Sequence, residues 1–177
     1  MDGKVASPGF TLVEAMVTVS LFVIVLGLGA PSLSRWGERQ KALSQTGELY
    51  RLLCWAQMES YTKKAPHGFW FGNDSSFSEA TVRRDGNGDG TVTDSDPVVR
   101  NYQSSTKWKA SGTPAVVFDV HGVSGGDFTF HLETDVPEGA PDCVRVVGNV
   151  IYKGAWNGSA CIVLSSEEKA RCPGTGA

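Results

Sequence analysis

The stretch that decides the fold is Gly9-Phe10-Thr11-Leu12-Val13-Glu14, which runs directly into AMVTVSLFVIVLGLGAPSLS at residues 15–34. This second run has 20 residues and no charge, which is just long enough for an α-helix to cross a bilayer. Glu14 is the lone carboxylate at its head, and such a group is costly in apolar surroundings unless it finds a partner. The front of the chain therefore predicts an apolar helix whose single charge needs a counter-charge.

Three interpretations of this helix compete. A cleaved secretory signal would end at small residues such as Gly29 and Ala30, but Pro31 follows them directly, which suits a signal peptidase poorly. A plain membrane anchor is the second interpretation. The third depends on the short polar leader 1–9, which ends in a glycine and is followed by the aromatic Phe10.

The leader, its final glycine, the aromatic residue and the glutamate four residues later resemble the class III leader of type IV prepilins and type II secretion pseudopilins. The resemblance implies that a prepilin peptidase cuts after Gly9 and methylates the new N-terminus at Phe10. It also implies that Glu14 pairs with the α-amine of a neighbouring subunit during assembly, near a helix end that favours an anion. Pro31 matches the place where the pilin helix softens inside the filament, although a simple kink is the alternative.

Beyond Pro31 the pattern becomes amphipathic and predicts a helix over 34–63, ending before Pro66. The residues from His67 onward form short β-like runs separated by Gly, Asp, Asn and Ser. The predicted strands are His67–Phe71, Ala80–Arg84, Val98–Tyr102, Ala115–Val120, Phe128–Leu132, Cys143–Val147 and Ala160–Leu164. Because the intervals leave no room for crossover helices, the sheet is predicted to be mainly antiparallel.

The predicted fold class is therefore α+β and pilin-like, with one long N-terminal helix packed on an antiparallel sheet. The predicted organisation is a leader at 1–9, an apolar transmembrane and filament-core helix at 10–33, an amphipathic half at 34–63 and a β-rich domain at 64–177. The run WAQMES at 55–60, followed by an early strand, resembles the GspH/FimT group of H-type pseudopilins and FimT/FimU minor pilins.

The resemblance implies a structural subunit that primes or caps pilus assembly, or alternatively a pseudopilin of type II secretion. Its implied partners are other pilins or pseudopilins, the prepilin peptidase and the inner-membrane assembly platform. The implied location is the inner membrane with a periplasmic domain, followed by the pilus or pseudopilus.

Residues 85–96, DGNGDGTVTDSD, match the calcium-loop pattern D-x-[DN]-x-[DN]-G. Calcium prefers six to eight oxygen ligands, and this spacing supplies most of them from one loop. The predicted ligands are Asp85, Asn87, Asp89, Thr91, Thr93 and Asp96. The flanking residues read as strands, so the pattern predicts a β-hairpin closed by calcium and no helix–loop–helix sensor. The alternative is a metal-free turn whose carboxylates are neutralised by Arg83, Arg84 and Arg100.

The chain has four cysteines, and a pilin domain folds in the oxidising periplasm, where disulfides form. We predict a Cys143–Cys161 disulfide between two C-terminal strands. Cys54 either pairs with Cys172 or stays buried and free.

Neither an enzyme nor a nucleic-acid-coating protein is indicated. His67, His121 and His131 are scattered, and no catalytic motif accompanies them. The net charge of -3 argues against broad nucleic-acid binding. Some FimT-like minor pilins bind DNA through a basic C-terminal stretch, and Lys169 and Arg171 echo its spacing here. Two glutamates precede them, so DNA is not favoured as a partner.

Overall fold

The computed structural model describes residues 11–112 and 114–163, apart from the side chains of residues 28–32. The chain divides into two compact units, Met1–Gly37 and Glu38–Ala177, whose boundary falls inside the helix α1.

The helix α1 spans Leu12–Lys63 and has no break at Pro31. It begins after Thr11, whose Oγ1 accepts a hydrogen bond of 3.3 Å from the backbone N–H of Glu14, as an N-cap does. It ends at Lys63, because Lys64 takes a positive φ of 53° and Pro66 follows. Within the described part of the chain, no helix is both long and apolar enough to cross a membrane, so the transmembrane segment predicted over 10–33 is not confirmed.

The described residues of the second unit form eight strands in one antiparallel sheet. Their bounds are β1 His67–Trp70, β2 Ser76–Arg84, β3 Val98–Ser111, β4 Ala115–Phe118, β5 Asp127–Leu132, β6 Cys143–Val147, β7 Val150–Trp156 and β8 Cys161–Ile162. Their spatial order is β4-β1-β2-β3-β5-β6-β7-β8. The predicted α+β class with an antiparallel sheet is confirmed.

Several strands differ from the predicted ones: β2 begins at Ser76, four residues before the predicted start, and β4 ends at Phe118, two residues before the predicted end. β7 was not predicted, although the pair Gly148-Asn149 before it is a two-residue hairpin signal and Gly148 has the positive φ, 58°, that such a turn needs. β3 continues to Ser111, well past the predicted end at Tyr102. The continuation was not predicted because the polar residues Ser104 and Thr106 occupy its buried positions. β8 is shorter than predicted, with two residues.

The core of the second unit lies between the later part of α1 and the sheet. The helix contributes a stripe of fully buried residues that includes Leu49, Leu53 and Ala56. The sheet contributes a cluster of edge-to-face and stacked phenylalanine rings with centroids 5.2 to 6.1 Å apart, formed by Phe69, Phe71, Phe77 and Phe130. Apolar burial of this kind is the main stabilising term of the unit.

Polar side chains of α1 bind the loops around this core. Thr46 Oγ1 donates a 3.0 Å hydrogen bond to the carbonyl oxygen of Pro141. Gln57 is fully buried, and its Nε2 donates to the carbonyls of Gly122 at 2.7 Å and Asn149 at 3.0 Å. These bonds hold α1 in register with three separate loops, which an apolar stripe alone would not do.

Candidate assembly surface and acidic loop

The first unit exposes a continuous apolar helix surface. We call it the apolar surface of α1. Its large side chains are between 53% and 76% exposed, and they are Leu12, Val13, Met16, Val17, Val19, Leu21, Phe22, Val23, Ile24, Val25 and Leu26. A soluble protein rarely leaves this much contiguous apolar area in water, so such a patch marks an interaction surface.

The few polar side chains on this surface satisfy their hydrogen bonds within the helix. Thr18 Oγ1 donates to the carbonyls of Glu14 and Ala15, both at 2.9 Å, and Ser20 Oγ donates to the carbonyl of Met16 at 2.8 Å. Covering these hydroxyls with an apolar partner would therefore leave no donor unpaired. The surface is suited to burial against other apolar helices.

Glu14 is the one charged residue of this surface, and its side chain is exposed. Among the residues that the structure describes, no cation forms an ion pair with its carboxylate. Thr11 and Glu14 together have the spacing of a capping box, a local helix-start signal that the sequence interpretation missed. The processing residues Gly9 and Phe10 lie outside the described residues, and the side chain of Pro31 is not described.

The predicted calcium loop connects β2 to β3 at the tip of a hairpin, between the strands that its flanks predicted. Asp85 is buried, and its carboxylate accepts three backbone N–H groups of the loop, from Asn87 at 3.2 Å, Gly88 at 2.6 Å and Gly90 at 2.8 Å. Gly88 and Gly90 both have positive φ values, 77° and 80°, which this tight winding requires. Asp85 is thus the centre of the first half of the loop.

Asp96 closes the loop from its other end. Its carboxylate accepts the N–H of Gly86 at 3.0 Å and the N–H of Thr93 at 2.8 Å, with the Thr93 hydroxyl at 3.1 Å. The Gly86 N–H, followed by that of Thr93, holds the pKa of Asp96 below its usual value. Asp96 therefore joins the start of the loop to its end through hydrogen bonds.

Asp89 and its neighbours form the exposed middle of the loop. The Asp89 carboxylate accepts the hydroxyl of Thr91 at 2.6 Å and its N–H at 2.8 Å, and Asn87 Nδ2 donates to it at 2.8 Å. These hydrogen bonds, that of the Thr91 hydroxyl first, lower the pKa of Asp89. Val92 is buried in the same loop, where the side chain lies so close to Gly68 of β1 that a Cβ there would be 2.8 Å from the Val92 Cβ.

The donor set of the loop consists of hard oxygen ligands, which suit calcium. Among the described residues, however, no three His, Cys, Asp or Glu side chains are gathered so that they could hold a metal ion. The carboxylates of Asp85, Asp89 and Asp96 are instead turned to N–H and hydroxyl donors of the loop. Calcium binding by Asp85, Asn87, Asp89, Thr91, Thr93 and Asp96 stays a prediction.

The arginines near the loop bind carbonyls and aromatic rings. Arg83 Nη1 donates to the carbonyl of Asp96 at 2.8 Å and to that of Asp94, and its guanidinium lies 5.0 Å from the centre of the Trp70 ring. The guanidinium of Arg100 lies 5.3 Å from the centre of the Trp55 ring. Arg83 therefore stabilises the loop through its backbone, a role that its position in the sequence did not indicate.

The Cys143–Cys161 disulfide is confirmed, with an S–S distance of 1.99 Å and a Cα–Cα distance of 5.9 Å. It joins β6 to β8 across Gly154 of β7, which pairs with Cys143. Cys54 is also disulfide-bonded and therefore does not stay free. Its predicted partner, Cys172, lies outside the described residues.

The three histidines lie in three separate environments. His67 is buried in β1, where Nδ1 is 2.8 Å from the carbonyl oxygen of Ala65. His121 is exposed in a turn, and His131 stacks on the ring of Trp156 with centroids 4.0 Å apart. Desolvation lowers the pKa of His131. No two of them approach a shared reaction centre in the described part of the chain, and Lys169 and Arg171 lie outside it.

No protein-family model matches the chain, and no curated protein matches it. Among solved structures, the chain is similar to the crystal structure of the type IV minor pilin FimU of Pseudomonas aeruginosa strain PAO1. The TM-score is 0.50 and the sequence identity 14%, over 63% of this chain and 86% of FimU. The likeness does not separate minor pilins from H-type pseudopilins. This chain therefore has the type IV pilin-like fold, in agreement with the family that the leader sequence resembles.

Proposed function

We propose that this protein is a minor type IV pilin, a structural subunit that primes or caps pilus assembly. The observation that supports this most directly is the apolar surface of α1, which is exposed and precedes the pilin-like domain in the sequence. Among the described residues of the first unit its apolar side chains are exposed, and its hydroxyls are already satisfied. Packing against the corresponding helices of other pilins buries this surface.

In this proposal the chain is held at the inner membrane before assembly, and the prepilin peptidase removes residues 1–9. The peptidase then methylates Phe10, and Glu14 pairs with the α-amine of the next subunit. The exposed carboxylate of Glu14, without a cation among the described residues, supports this pairing. An ion pair formed inside an apolar bundle fixes the register of one subunit against the next, because a displaced Glu14 would be buried unpaired.

The processing step is tested by mass spectrometry of the protein purified from a host with an active prepilin peptidase. We expect a mature chain that starts with N-methylated Phe10. An intact leader in such a host would overturn the pilin interpretation.

The assembly step is tested by deleting the gene and counting surface pili. We expect few pili in the deletion strain, restoration by the natural chain, and no restoration by Glu14→Ala. Glu38→Ala is the matched control, since Glu38 is another exposed glutamate of α1, and it should restore piliation. Normal piliation with lost protein secretion would instead assign the chain to type II secretion as an H-type pseudopilin.

Calcium remains the proposed ligand of the 85–96 loop, supported by the ligand spacing and by four aspartates within 12 residues. The melting temperature of the full-length chain in detergent should rise on adding millimolar calcium and fall again with a chelator. Asp89→Ala should abolish that rise. An unchanged melting temperature would leave the loop as a metal-free hairpin tip.

A DNA-binding role is the less favoured proposal, because Lys169 and Arg171 follow two glutamates. A gel shift with the full-length chain in detergent tests it, and we expect no shift at physiological salt. A shift that is lost in a Lys169→Ala, Arg171→Ala variant would establish it.

A further inference from the structure

The edge of β3 between Val98 and Gln103 has no partner strand among the described residues. β2 pairs with one side of this stretch, whereas β5 pairs with the other side of β3 only from Trp108 to Ser111. No other backbone group of the described chain bonds residues 98–103 from that second side. We propose that this open edge of β3 binds an extended acidic segment of another protein chain, which adds a strand to the sheet. This inference does not depend on the pilin function proposed above.

The open edge has the length and the exposure that a partner strand needs. It contains six residues, an ordinary strand length, and all of them except Tyr102 are exposed. Val98 and Val99 are adjacent apolar residues, 48% and 43% exposed. Proteins usually protect such an edge, because its free N–H and C=O groups pair readily with another chain. The main chain of β3 is therefore available to an added strand here.

The open edge has a definite end at Ser104. Ser104 Oγ donates a hydrogen bond to Gln45 Oε1, which ties β3 to α1 immediately after Gln103. Beyond this contact the backbone of β3 is bonded, since the Thr106 N–H donates to Ser104 Oγ at 3.2 Å and the Lys107 carbonyl accepts the Glu133 N–H at 3.0 Å. The free part of the edge is thus limited to residues 98–103.

A groove of about 490 Å³ lies between this edge and α1. It is lined by residues of both elements, among them Arg51, Trp55, Arg100 and Tyr102. The Arg100 guanidinium lies 5.3 Å from the centre of the Trp55 ring, so the one charged side chain of the open stretch is held toward α1. Because alternate side chains of a strand point to opposite faces, every second side chain of an added strand reaches this groove.

The charges around the groove favour an acidic partner. Arg51 and Arg100 both line it, together with the single carboxylate of Glu48. Neither arginine forms an ion pair among the residues that the structure describes. Carboxylates on the groove side of the added strand pair with these guanidiniums through charge-assisted hydrogen bonds. The main chain of the partner thus supplies the pairing with β3, and its acidic side chains supply the specificity.

Fluorescence anisotropy of a labelled peptide tests the docking site. The probe is an octapeptide of alternating glutamate and threonine, added to the full-length chain in detergent. We expect saturable binding, which should be about tenfold weaker when glutamine replaces each glutamate of the peptide. The same glutamate peptide with every backbone amide N-methylated cannot pair with β3 and should not bind. No binding of the glutamate peptide, or equal binding of its N-methylated form, would overturn the proposal.

Variants of the chain test the role of the two arginines. Arg51→Ala and Arg100→Ala should each weaken binding of the glutamate peptide about fivefold, because each removes one counter-charge. Lys109→Ala is the matched control and should leave binding unchanged, since Lys109 is an exposed cation of β3 in the part that pairs with β5. Undiminished binding in both arginine variants would contradict an acidic partner at this groove.

Hydrogen exchange locates the bound peptide. Adding the glutamate peptide should slow exchange at alternate amides of residues 98–103, because alternate residues of a strand face its edge. Exchange at residues 108–111, which already pair with β5, should stay the same. Slow exchange at all amides of 98–103 before the peptide is added would mean that the edge is already covered. Light scattering would then assign the cover to the chain itself in a monomer or to a second copy in a dimer, and either result would overturn the proposal.

Discussion

Two parts of the helix α1 differ in how far they bury the same type of residue. Leu21, in the first unit, is 57% exposed, whereas Leu53, in the second, is fully buried. Both are leucines of α1, so neither side-chain chemistry nor helix propensity separates them. Leu53 packs on the sheet within its own unit, whereas Leu21 is exposed among the described residues of the first unit. At about 25 cal/mol per Å² of apolar area, burying such a surface would be strongly stabilising.

The largest expected effect contrasts these two leucines. Leu53→Ala should lower the free energy of unfolding by about 3 kcal/mol, because it opens a cavity in the core. Leu21→Ala should change it by less than about 0.5 kcal/mol, because the side chain has no buried neighbours to lose. Urea unfolding of the full-length chain in detergent, followed by tryptophan fluorescence, measures both. Equal losses would show that the first unit has tertiary partners of its own.

The next effect tests how tightly the second unit closes on itself. Gly154→Ala should lower the free energy of unfolding by about 2 kcal/mol, because the new Cβ would lie 2.2 Å from the carbonyl oxygen of Ile162 and 3.1 Å from Cys161 Sγ. Gly125→Ala, with no atom within 4 Å of its added Cβ, is the control and should be nearly neutral. An equally mild Gly154→Ala would mean that β8 is free to move away from β7.

The third effect concerns the acidic loop at the periphery of the second unit, where Asp85 holds the loop by hydrogen bonds. Asp85→Asn should lower the free energy of unfolding by about 1 to 2 kcal/mol, because one amide oxygen replaces a carboxylate that accepts three N–H groups. Asp94→Asn is the control, since Asp94 is exposed in the same loop. Chemical denaturation without calcium measures both, and a neutral Asp85→Asn would contradict a loop held by this carboxylate.

Acid should weaken the same loop. The pKa of Asp96 is lowered in the folded chain, first by the N–H of Gly86. The stability that it contributes is therefore present above its unfolded pKa of about 3.9 and is lost as pH falls through the folded value. The pKa of Asp142 is raised by desolvation, so its protonation acts in the opposite direction. Melting curves between about pH 6 and pH 2 should fall less steeply for Asp96→Asn than for the natural chain.

The smallest effect belongs to the first unit. Thr11→Ala removes the Oγ1 that accepts the Glu14 N–H, which should cost about 1 kcal/mol locally. Hydrogen exchange should become faster at the first turn of α1 and remain unchanged at Leu53. Faster exchange at both places would contradict two units that are stabilised separately.

Much of the fold was predictable because its signals are local. The apolar run, the amphipathic stretch before Pro66 and the short strands with Gly and Asp turns together indicated α+β with an antiparallel sheet. β7 was not predicted because Gly154 interrupts its β-like pattern, although Gly148-Asn149 is a signal for the hairpin that joins β6 to β7. The end of β3 was not predicted because Ser104 and Thr106 are polar residues at buried positions. Ser104 Oγ donates a hydrogen bond to the side chain of Gln45 of α1, which is distant in the sequence.

Features of the candidate site were likewise predictable only where their signals are local. The strand-like residues on both sides of the loop correctly predicted that it lies at a hairpin tip. The roles of Arg83, which binds the loop carbonyls, and of Val92, which packs against Gly68, depend on contacts between strands and have no signal in the local sequence.

By itself, the sequence determined the apolar helix and its lone glutamate, because hydrophobicity acts over neighbouring residues. It also predicted the disulfide between Cys143 and Cys161 on two C-terminal strands, which the structure confirms. Only the tertiary structure decided the order of the strands, the burial of Leu53 but not Leu21, and the bonded state of Cys54. The physical reason is that burial and disulfide pairing depend on which distant segments share a place in space, and no local pattern encodes that.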